Sequence, residues 1–264
     1  FGNLLCDEAD GYAAVTRSEF VDPFECRHRF AASDDERRKD AWEFLLYDLF
    51  GPVVDVTTRK EAEAAGAIVP VRVRLVETGF APPRWWSKLP PSARGYQQNR
   101  LLAEMASDPQ RGGICTELVR HYVAEGHQVL VFAHHVEHAR RLEADIRAKL
   151  PGVTVGLHLG DKANEDERRR TVAGLEVGLC RVAVATYKSL GKGINLPSVT
   201  REVLTTPIHN SPDSRNQVLG RLNRANAGKA GAEAAVVYDE RISGLAPVRA
   251  YREGGREVVV QTAE

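Results

Sequence analysis

The segment VLVFAHHVEHARRLEADIRAKLPGVTVGLHL, residues 129–159, decides the fold class. It begins with one short apolar run and ends with another. Between them Ala139, Leu142 and Ile146 recur at spacings of three and four, which is the periodicity of an amphipathic helix. Two short apolar strands joined by one helix form a βαβ unit, and such a unit predicts a parallel sheet.

The same alternation continues on both sides of this unit. The sequence predicts strands at 1–6, 69–76, 129–132, 153–159, 182–185, 202–204 and 234–238, and helices at 36–50, 114–124, 138–150, 165–175 and 214–224. Helices between short apolar strands cover both faces of a parallel sheet, so we expect an α/β protein with three layers.

Two segments do not follow this rhythm. Residues 81–95, APPRWWSKLPPSARG, contain four prolines and two adjacent tryptophans, and we interpret them as a loop or insertion. Residues 250–260, AYREGGREVVV, favour a small hairpin that turns at Gly254 and Gly255.

Composition excludes several classes of protein. The 264 residues are 43% hydrophobic and 27% charged, as in a folded globular protein, and no apolar run reaches the ~20 residues of a membrane-spanning helix. Lysine plus arginine and aspartate plus glutamate both number 36, which argues against a purely charge-driven binder but allows a local basic groove. The four cysteines form no C-x-x-C pair, so we expect reduced thiols and a cytoplasmic location. Since the chain opens at Phe1 on an apolar run, we expect it to belong to a longer polypeptide.

An acidic tetrapeptide, DEAD at residues 7–10, follows the first predicted strand directly. Ligands of open parallel sheets bind at the carboxyl ends of strands, where adjacent carboxylates can hold Mg²⁺ and orient a water molecule. An acidic turn that caps a helix is the alternative interpretation.

Two later segments carry groups suited to phosphates. In QVLGRLNR, residues 217–224, Arg221 and Arg224 are three apart on a predicted helix, so they form either a clamp for phosphoryl oxygens or a solvated basic face. The segment ATYKSLGKGINLP, residues 185–197, follows a predicted strand and offers hydroxyls, glycines and lysines to a phosphodiester backbone.

The order of these segments resembles that of superfamily 2 helicases and translocases. Residues 7–10 resemble motif II (the DEAD box), 129–134 motif IV, 184–197 motif V and 217–224 motif VI. Residues 24–54 also resemble the stretch after motif II in phage and bacterial DNA helicases, which implies a bacterial or phage-infected cell. The resemblance implies RecA-like three-layer domains: the end of a first domain at 1–70, a complete second domain at 71–245 and a tail at 246–264.

The resemblance also implies roles for single residues, in a protein that uses ATP and Mg²⁺ and binds nucleic acid, DNA rather than RNA. Asp7 would help to hold Mg²⁺ and Glu8 would position the water. Arg221 and Arg224 would contact the γ-phosphate of ATP. Gln217, Gly193 and Asn195 would lie near the nucleotide, and Thr186, His134 and Lys188 would contact the nucleic-acid backbone.

The sequence departs from the family pattern in three places. Ala31, Ala32 and Ser33 stand where motif III usually reads Ser-Ala-Thr, and Asn195 replaces the usual aspartate of motif V. No phosphate-cradling G-x-x-x-x-G-K-[ST] string occurs, so we expect the chain alone to be inactive and its P-loop half to lie in cis or in another chain. The alternatives are a non-catalytic nucleic-acid-binding or assembly subunit that keeps the fold, or one half of a split motor.

Two smaller groups allow two interpretations each. Trp85 and Trp86 either stack on bases or pack their segment against its own domain, and packing is the commoner outcome. His134, His135 and His138 either bind a metal or open the helix after motif IV, and no third, distant ligand points to a metal.

Overall fold

The computed structural model describes residues 2–7, 9, 25–33, 44–160, 162–189, 196, 198–206, 218–243 and 246–262. The chain divides into two compact units, Phe1–Thr58 and Arg59–Glu264. The sequence predicts a boundary at about residue 70. The structure divides the chain earlier, after Thr58, because the short helix before the first long strand belongs to the larger unit.

The smaller unit contains β1 (Asn3–Cys6), β2 (His28–Ala31) and α1 (Phe44–Phe50). The larger unit contains the strands β3 (Val71–Glu77), β4 (Val129–Ala133), β5 (Val155–His158), β6 (Val182–Thr186), β7 (Arg201–Leu204), β8 (Ala232–Tyr238) and β9 (Val258–Thr262). Its helices are α2 (Arg59–Ala64), α3 (Arg84–Ser87), α4 (Pro91–Ser107), α5 (Pro109–Ala124), α6 (Val136–Lys149), α7 (Glu165–Glu176), α8 (Glu240–Ser243) and α9 (Ala246–Glu253), with a 3₁₀ turn at Lys162–Asn164.

In the smaller unit, β1 and β2 form a two-stranded parallel sheet in which Leu5 pairs with Phe30. The prediction of a buried first strand is wrong for most of β1, because Leu5 is 75% exposed and only Cys6 is buried. Of the helix predicted at 36–50, the described part, α1, is confirmed, and residues 36–43 lie outside the described residues.

The larger unit is built on a seven-stranded sheet in the order β5-β6-β4-β7-β8-β3-β9. Every pair of neighbouring strands is parallel, which confirms the predicted sheet. The central strands β4 and β6 are buried along their whole length, as their continuous apolar sequences predict.

Two apolar clusters, one on each face of the sheet, form the core and give the three layers. On one face Cys115 and Val119 of α5 and Leu142 of α6 pack on Val131 and its neighbours. On the other face α7, α9 and the segment 218–222 pack on Leu130, Ala234 and Leu204. None of the described helices is long and apolar enough to cross a membrane.

Residues 81–95 are not a loop, contrary to the sequence-based prediction. They form α3 and the beginning of α4. Pro91 and Pro109 each occupy the first helical position, where a missing N–H breaks no helical hydrogen bond. The prolines therefore mark where helices begin rather than where regular structure is absent.

The predicted hairpin at 250–260 is also wrong. Residues 246–253 form α9, and Gly255, with φ of +72°, follows the end of this helix. The chain then enters β9, which runs parallel to β3 and pairs Val258 with Val73. The tail thus adds an edge strand to the main sheet instead of folding on itself.

Candidate functional site

The residues predicted to contact nucleic acid come together at one edge of the larger sheet. β4 and β6 are parallel neighbours, and Ala133 at the end of β4 pairs with Thr186 at the end of β6. His134 therefore leaves the sheet beside Thr186, and Lys188 follows two residues later. This edge holds the carboxyl ends of the strands, where ligands bind in open α/β sheets.

The turn after β6 is held by its own hydroxyl groups. The Ser189 N–H donates to Thr186 Oγ1 at 3.2 Å, and the Thr186 N–H donates to Ser189 Oγ at 3.1 Å. Ser189 Oγ also donates to the His158 carbonyl at the end of β5. Thr186 is buried and shapes this turn, whereas Lys188 is exposed at its tip. The turn thus offers an ammonium group and leaves little of Thr186 for an external contact.

Tyr187 also lies at this edge of the sheet, and the sequence analysis gave it no role. Its ring stacks on Phe132 of β4, with ring centroids 5.3 Å apart and planes within 6°. Its hydroxyl donates to the Thr206 carbonyl at 2.9 Å, just beyond the end of β7. Thr205 in turn donates its hydroxyl to the Phe132 carbonyl at 2.7 Å. One aromatic side chain therefore ties the ends of β4, β6 and β7 together.

The three histidines after β4 open α6, as one of the two sequence interpretations expects. His135 is the N-cap, and its Nδ1 accepts the N–H of His138 at 3.1 Å. The buried His138 ring accepts the N–H of His134 through Nδ1 at 3.2 Å. Each ring thus satisfies a backbone donor near the start of the helix. Across the described residues, no group of three histidine, cysteine or acidic side chains is placed to hold a metal.

Protonation of His138 should destabilise the fold at acidic pH. Burial, and then the nearby positive charge of Arg141, lowers the pKa of this ring from 6.5 to about 3. The unfolded state therefore binds the proton first, and stability falls as pH drops from about 6.5 towards 3, by at most about 1.4 kcal/mol per pH unit. Denaturant titrations at pH 7 and pH 5 would measure this loss. His138→Asn keeps an acceptor atom without titrating, so it should flatten the slope, whereas His121→Asn at a half-exposed position should not.

A buried arginine organises the other half of the same edge. Arg111 of α5 is 1% exposed and forms an ion pair with Asp239, which is also 1% exposed. Its Nη1 donates to the carbonyls of Thr205 at 3.0 Å and Val237 at 3.2 Å. Thr78 donates its hydroxyl to Asp239, so the network joins the ends of β3, β7 and β8. The sequence analysis missed Arg111 because nothing local in RGGIC distinguishes it from a solvated arginine.

The arginine pair of the motif VI segment lies elsewhere in the larger unit. Residues 218 and 219 are helical, 220–223 form turns, and Arg224 makes a single antiparallel bridge with Ile68, ahead of β3. The predicted helix at 214–224 therefore ends early: the N–H groups of Arg221 and Leu222 donate to the carbonyls three residues before them, and the Asn223 carbonyl accepts the N–H of Val69 at 2.7 Å. As a result the two arginines do not share a helix face.

The two arginines also differ in their surroundings. Arg224 is exposed, and Arg221 is half-buried beside a buried stretch that includes Leu219 and Leu222. Burial lowers the pKa of the Arg221 guanidinium, the carboxyl group of Glu202 opposes this, and the charge of Arg224 adds to it. Arg221 is therefore partly inside the unit, while Arg224 lies at its surface.

In the smaller unit, Asp7 stands at the carboxyl end of β1 with its side chain exposed. The backbone there is linked to the segment after β2, since Ala32 N–H donates to the Cys6 carbonyl at 2.9 Å and Ala9 N–H donates to the Ala32 carbonyl at 3.0 Å. The segments predicted to be motif II and motif III are thus neighbours in the smaller unit. An exposed carboxylate at a strand end is the oxygen donor that Mg²⁺ prefers, so Asp7 fits the expected ion.

Four predicted site residues, Glu8, Gly193, Asn195 and Gln217, lie outside the described residues. Their roles stay predictions.

The tryptophan pair packs within its own unit, which confirms the second interpretation. Trp86 is 8% exposed and meets the ring of Trp85 edge to face, with centroids 5.9 Å apart. Trp85 donates its indole N–H to Glu104 of α4 at 2.8 Å, and the guanidinium of Arg100 lies 4.2 Å from its ring centroid. These contacts fix α3 against α4.

Comparison with known proteins identifies a helicase domain and related folds. Residues 113–226 match the model of the helicase conserved C-terminal domain, and this stretch contains the predicted motifs IV, V and VI. No curated protein sequence matches the chain.

Several solved structures share the fold at low sequence identity. T4 UvsW matches with a TM-score of 0.57 and 14% identity over 100% of this chain and 54% of its own. A fragment of a putative HsdR subunit of a type I restriction enzyme from Vibrio vulnificus matches with a TM-score of 0.66 and 15% identity, over 99% of this chain and 48% of its own. Dbp5 from S. cerevisiae, bound to RNA and ADP BeF3, matches with a TM-score of 0.63 and 16% identity, over 99% of this chain and 60% of its own. The chain therefore spans between about half and three fifths of these proteins.

The family match confirms the resemblance stated from the motifs, and the structural matches confirm the RecA-like fold. Residues 113–226 are thus similar to the helicase conserved C-terminal domain, and they are carried on a RecA-like parallel sheet.

Proposed function

We propose that the chain is the motif II to motif VI portion of an ATP-dependent helicase or translocase that acts on DNA. The observation that carries the proposal is the shared carboxyl edge of β4 and β6, where His134 and Lys188 meet the turn built by Thr186. The resemblance of residues 24–54 to phage and bacterial DNA helicases favours DNA over RNA.

The edge suits a phosphodiester backbone better than base edges. Lys188 supplies a positive charge at the exposed tip of the turn, whereas the hydroxyl groups of Thr186 and Ser189 are used within the turn. Contacts of this kind position a strand without reading its sequence, as a motor that passes along any sequence requires.

Asp7 would hold Mg²⁺, and Arg221 and Arg224 would meet the phosphoryl oxygens of the nucleotide. Bound ATP with Mg²⁺ supplies the phosphoryl group whose transfer to water drives such motors. Guanidinium groups bind phosphoryl oxygens in a planar, bidentate manner, and Arg224 is exposed at the surface.

Binding of single-stranded DNA should be weak, independent of sequence and strongly dependent on salt. The proposed contacts are to phosphates, and each releases counterions, while a chain without net charge has only a local groove to supply them. Titration of unrelated oligonucleotides at two salt concentrations measures both properties. Lys188→Ala should weaken binding equally for all of them and lower the salt slope by about 1, whereas Lys60→Ala on the exposed side of α2 should not.

A strong preference for one oligonucleotide would contradict the motor and support a sequence-specific binding module. The decisive experiment on function uses the protein together with its P-loop half, in one chain or two. DNA-stimulated ATP hydrolysis supports the proposal. DNA binding with no hydrolysis would instead support the assembly subunit, which the altered motif III segment at Ala31 and Ala32 favours.

A further inference from the structure

A cavity of about 300 Å³ lies between α4 and the carboxyl end of β8 in the larger unit. Leu102 and Met105 of α4 and Val236 of β8 line it, and each of these side chains is at most 3% exposed. Small-molecule sites in proteins begin at roughly this volume, about 300 Å³. An apolar cavity of about 150 Å³ already holds benzene, so this one has room for a compound with two fused rings.

Three aromatic side chains add to this apolar lining. Trp86 of α3, Tyr238 of β8 and Tyr251 of α9 line the cavity, and all three are buried. Trp86 belongs to the apolar cluster of α3 and α4, whereas the two tyrosines belong to a cluster on the main sheet. The cavity therefore lies between two packed clusters. Aromatic rings interact favourably with a further planar ring, in an offset or an edge-to-face arrangement.

Arg94 of α4 brings a positive charge to the cavity, and no acidic side chain is among the described residues that line it. Its guanidinium carbon lies 5.5 Å from the ring centroid of Trp86. The Nε atom of Arg94 is buried and has no hydrogen-bond partner in the part of the chain that the structure describes. A buried donor without a partner is costly, and a carboxylate is the acceptor that the planar guanidinium fork fits best.

Gly95, next to Arg94, also lines the cavity. It lies within α4, where only proline is less favourable than glycine. Its φ is not positive, and a Cβ atom added to it would meet no atom within 4 Å. Neither the backbone conformation nor the packing of the chain therefore requires glycine here. A ligand does give it a use, because a side chain at this position would take up room at the cavity.

We propose that this cavity binds a small planar aromatic carboxylate, with its rings between α4 and β8 and its carboxylate on the guanidinium of Arg94. The apolar and aromatic side chains would hold the rings, Arg94 would supply the charge, and Gly95 would leave room for the ligand. None of the residues predicted to contact nucleotide or nucleic acid lines the cavity, so the proposal does not rest on the proposed function.

Isothermal titration calorimetry of the 264-residue chain tests the class of ligand. The probes are two aromatic carboxylates, 2-naphthoate and indole-3-acetate, and the uncharged amide of the first, 2-naphthamide. The Kd of 2-naphthoate should be about tenfold lower than that of 2-naphthamide, because the amide cannot form the charge-assisted hydrogen bond with Arg94.

The variant Arg94→Met keeps an apolar stem and removes the charge. It should weaken 2-naphthoate binding about tenfold and leave 2-naphthamide binding unchanged. Arg100→Met is the matched control. Arg100 lies on the same helix, and its guanidinium carbon is 4.2 Å from the ring centroid of Trp85, but Arg100 does not line the cavity. This control should bind both probes as the parent does.

The variant Gly95→Leu tests the place of binding. It adds a side chain at the cavity and replaces glycine by a better helix former, so it should weaken 2-naphthoate binding at least about tenfold without lowering the melting temperature. Gln97→Leu adds the same side chain to the same helix at an exposed position that does not line the cavity. It should bind 2-naphthoate as the parent does.

Equal binding of 2-naphthoate and 2-naphthamide by the parent, or full binding of 2-naphthoate by Arg94→Met, would overturn the carboxylate. Binding of neither carboxylate by the parent, or full binding by Gly95→Leu, would overturn the site. If Arg94→Met does not fold, the comparison of acid with amide in the parent and the Gly95→Leu variant still decide.

Discussion

Replacing Arg221 by alanine should lower the kcat of DNA-stimulated ATP hydrolysis by on the order of 10³, measured in the protein with its P-loop half. Arg224→Ala should have an effect of similar size. Each substitution removes a positive charge that would meet the charge developing on the phosphoryl group in the transition state.

Stability measurements separate this role from a structural one. Arg224 is exposed, so its removal should leave the melting temperature almost unchanged. Arg221 is half-buried, and its loss should lower the free energy of unfolding by about 1 kcal/mol. Arg169→Ala on α7, where the side chain is 75% exposed, is the control and should change neither quantity. Normal turnover in both variants would contradict the assignment and remove the best evidence for a motor.

Arg111→Met should be the most destabilising single substitution proposed for this chain. It leaves the Asp239 carboxylate buried without its cation and removes the hydrogen bonds from Arg111 to the Thr205 and Val237 carbonyls. Breaking one partner of a buried pair costs about 3–5 kcal/mol, which denaturant unfolding measures directly.

The double variant Arg111→Met with Asp239→Leu tests the reason for this loss. It removes both charges at once, so it should recover much of the stability. Arg72→Met is the control, because the Arg72 Nε and Glu257 Oε1 atoms are 3.1 Å apart but both side chains are more than half exposed. Arg72→Met should lower the free energy of unfolding by no more than about 1 kcal/mol. An equal loss in the buried and surface variants would show that the network is not closed to water.

The sequence predicts the inner strands well because they are buried on both faces. In β4 and β6 every residue is buried, and an apolar run of four or five residues between turn signals has few other uses. Strand β9 could not be predicted in the same way. Its partner β3 is far away in sequence, and REGGREVVV looks locally like a hairpin.

The site residues that directly follow a strand could be predicted from the sequence. Those that act through long-range contacts could not. His134 and Thr186 each follow a predicted strand, so the parallel sheet places them at one edge. Tyr187 and Arg111 act through partners that no local pattern reveals.

The strand order also governs how the larger unit folds. β3 is the first strand of its sheet to be synthesised, yet both of its neighbours, β8 and β9, come after residue 231. The strands from β4 to β7 can pair among themselves much earlier. The apolar side chains of β3, among them Val73 and Leu75, thus have no sheet partner until β8 and β9, residues 232–262, have been synthesised. Long-range parallel pairing of this kind makes folding slow and exposes a strand that aggregates readily, so β8 and β9 set the pace at which the larger unit becomes native.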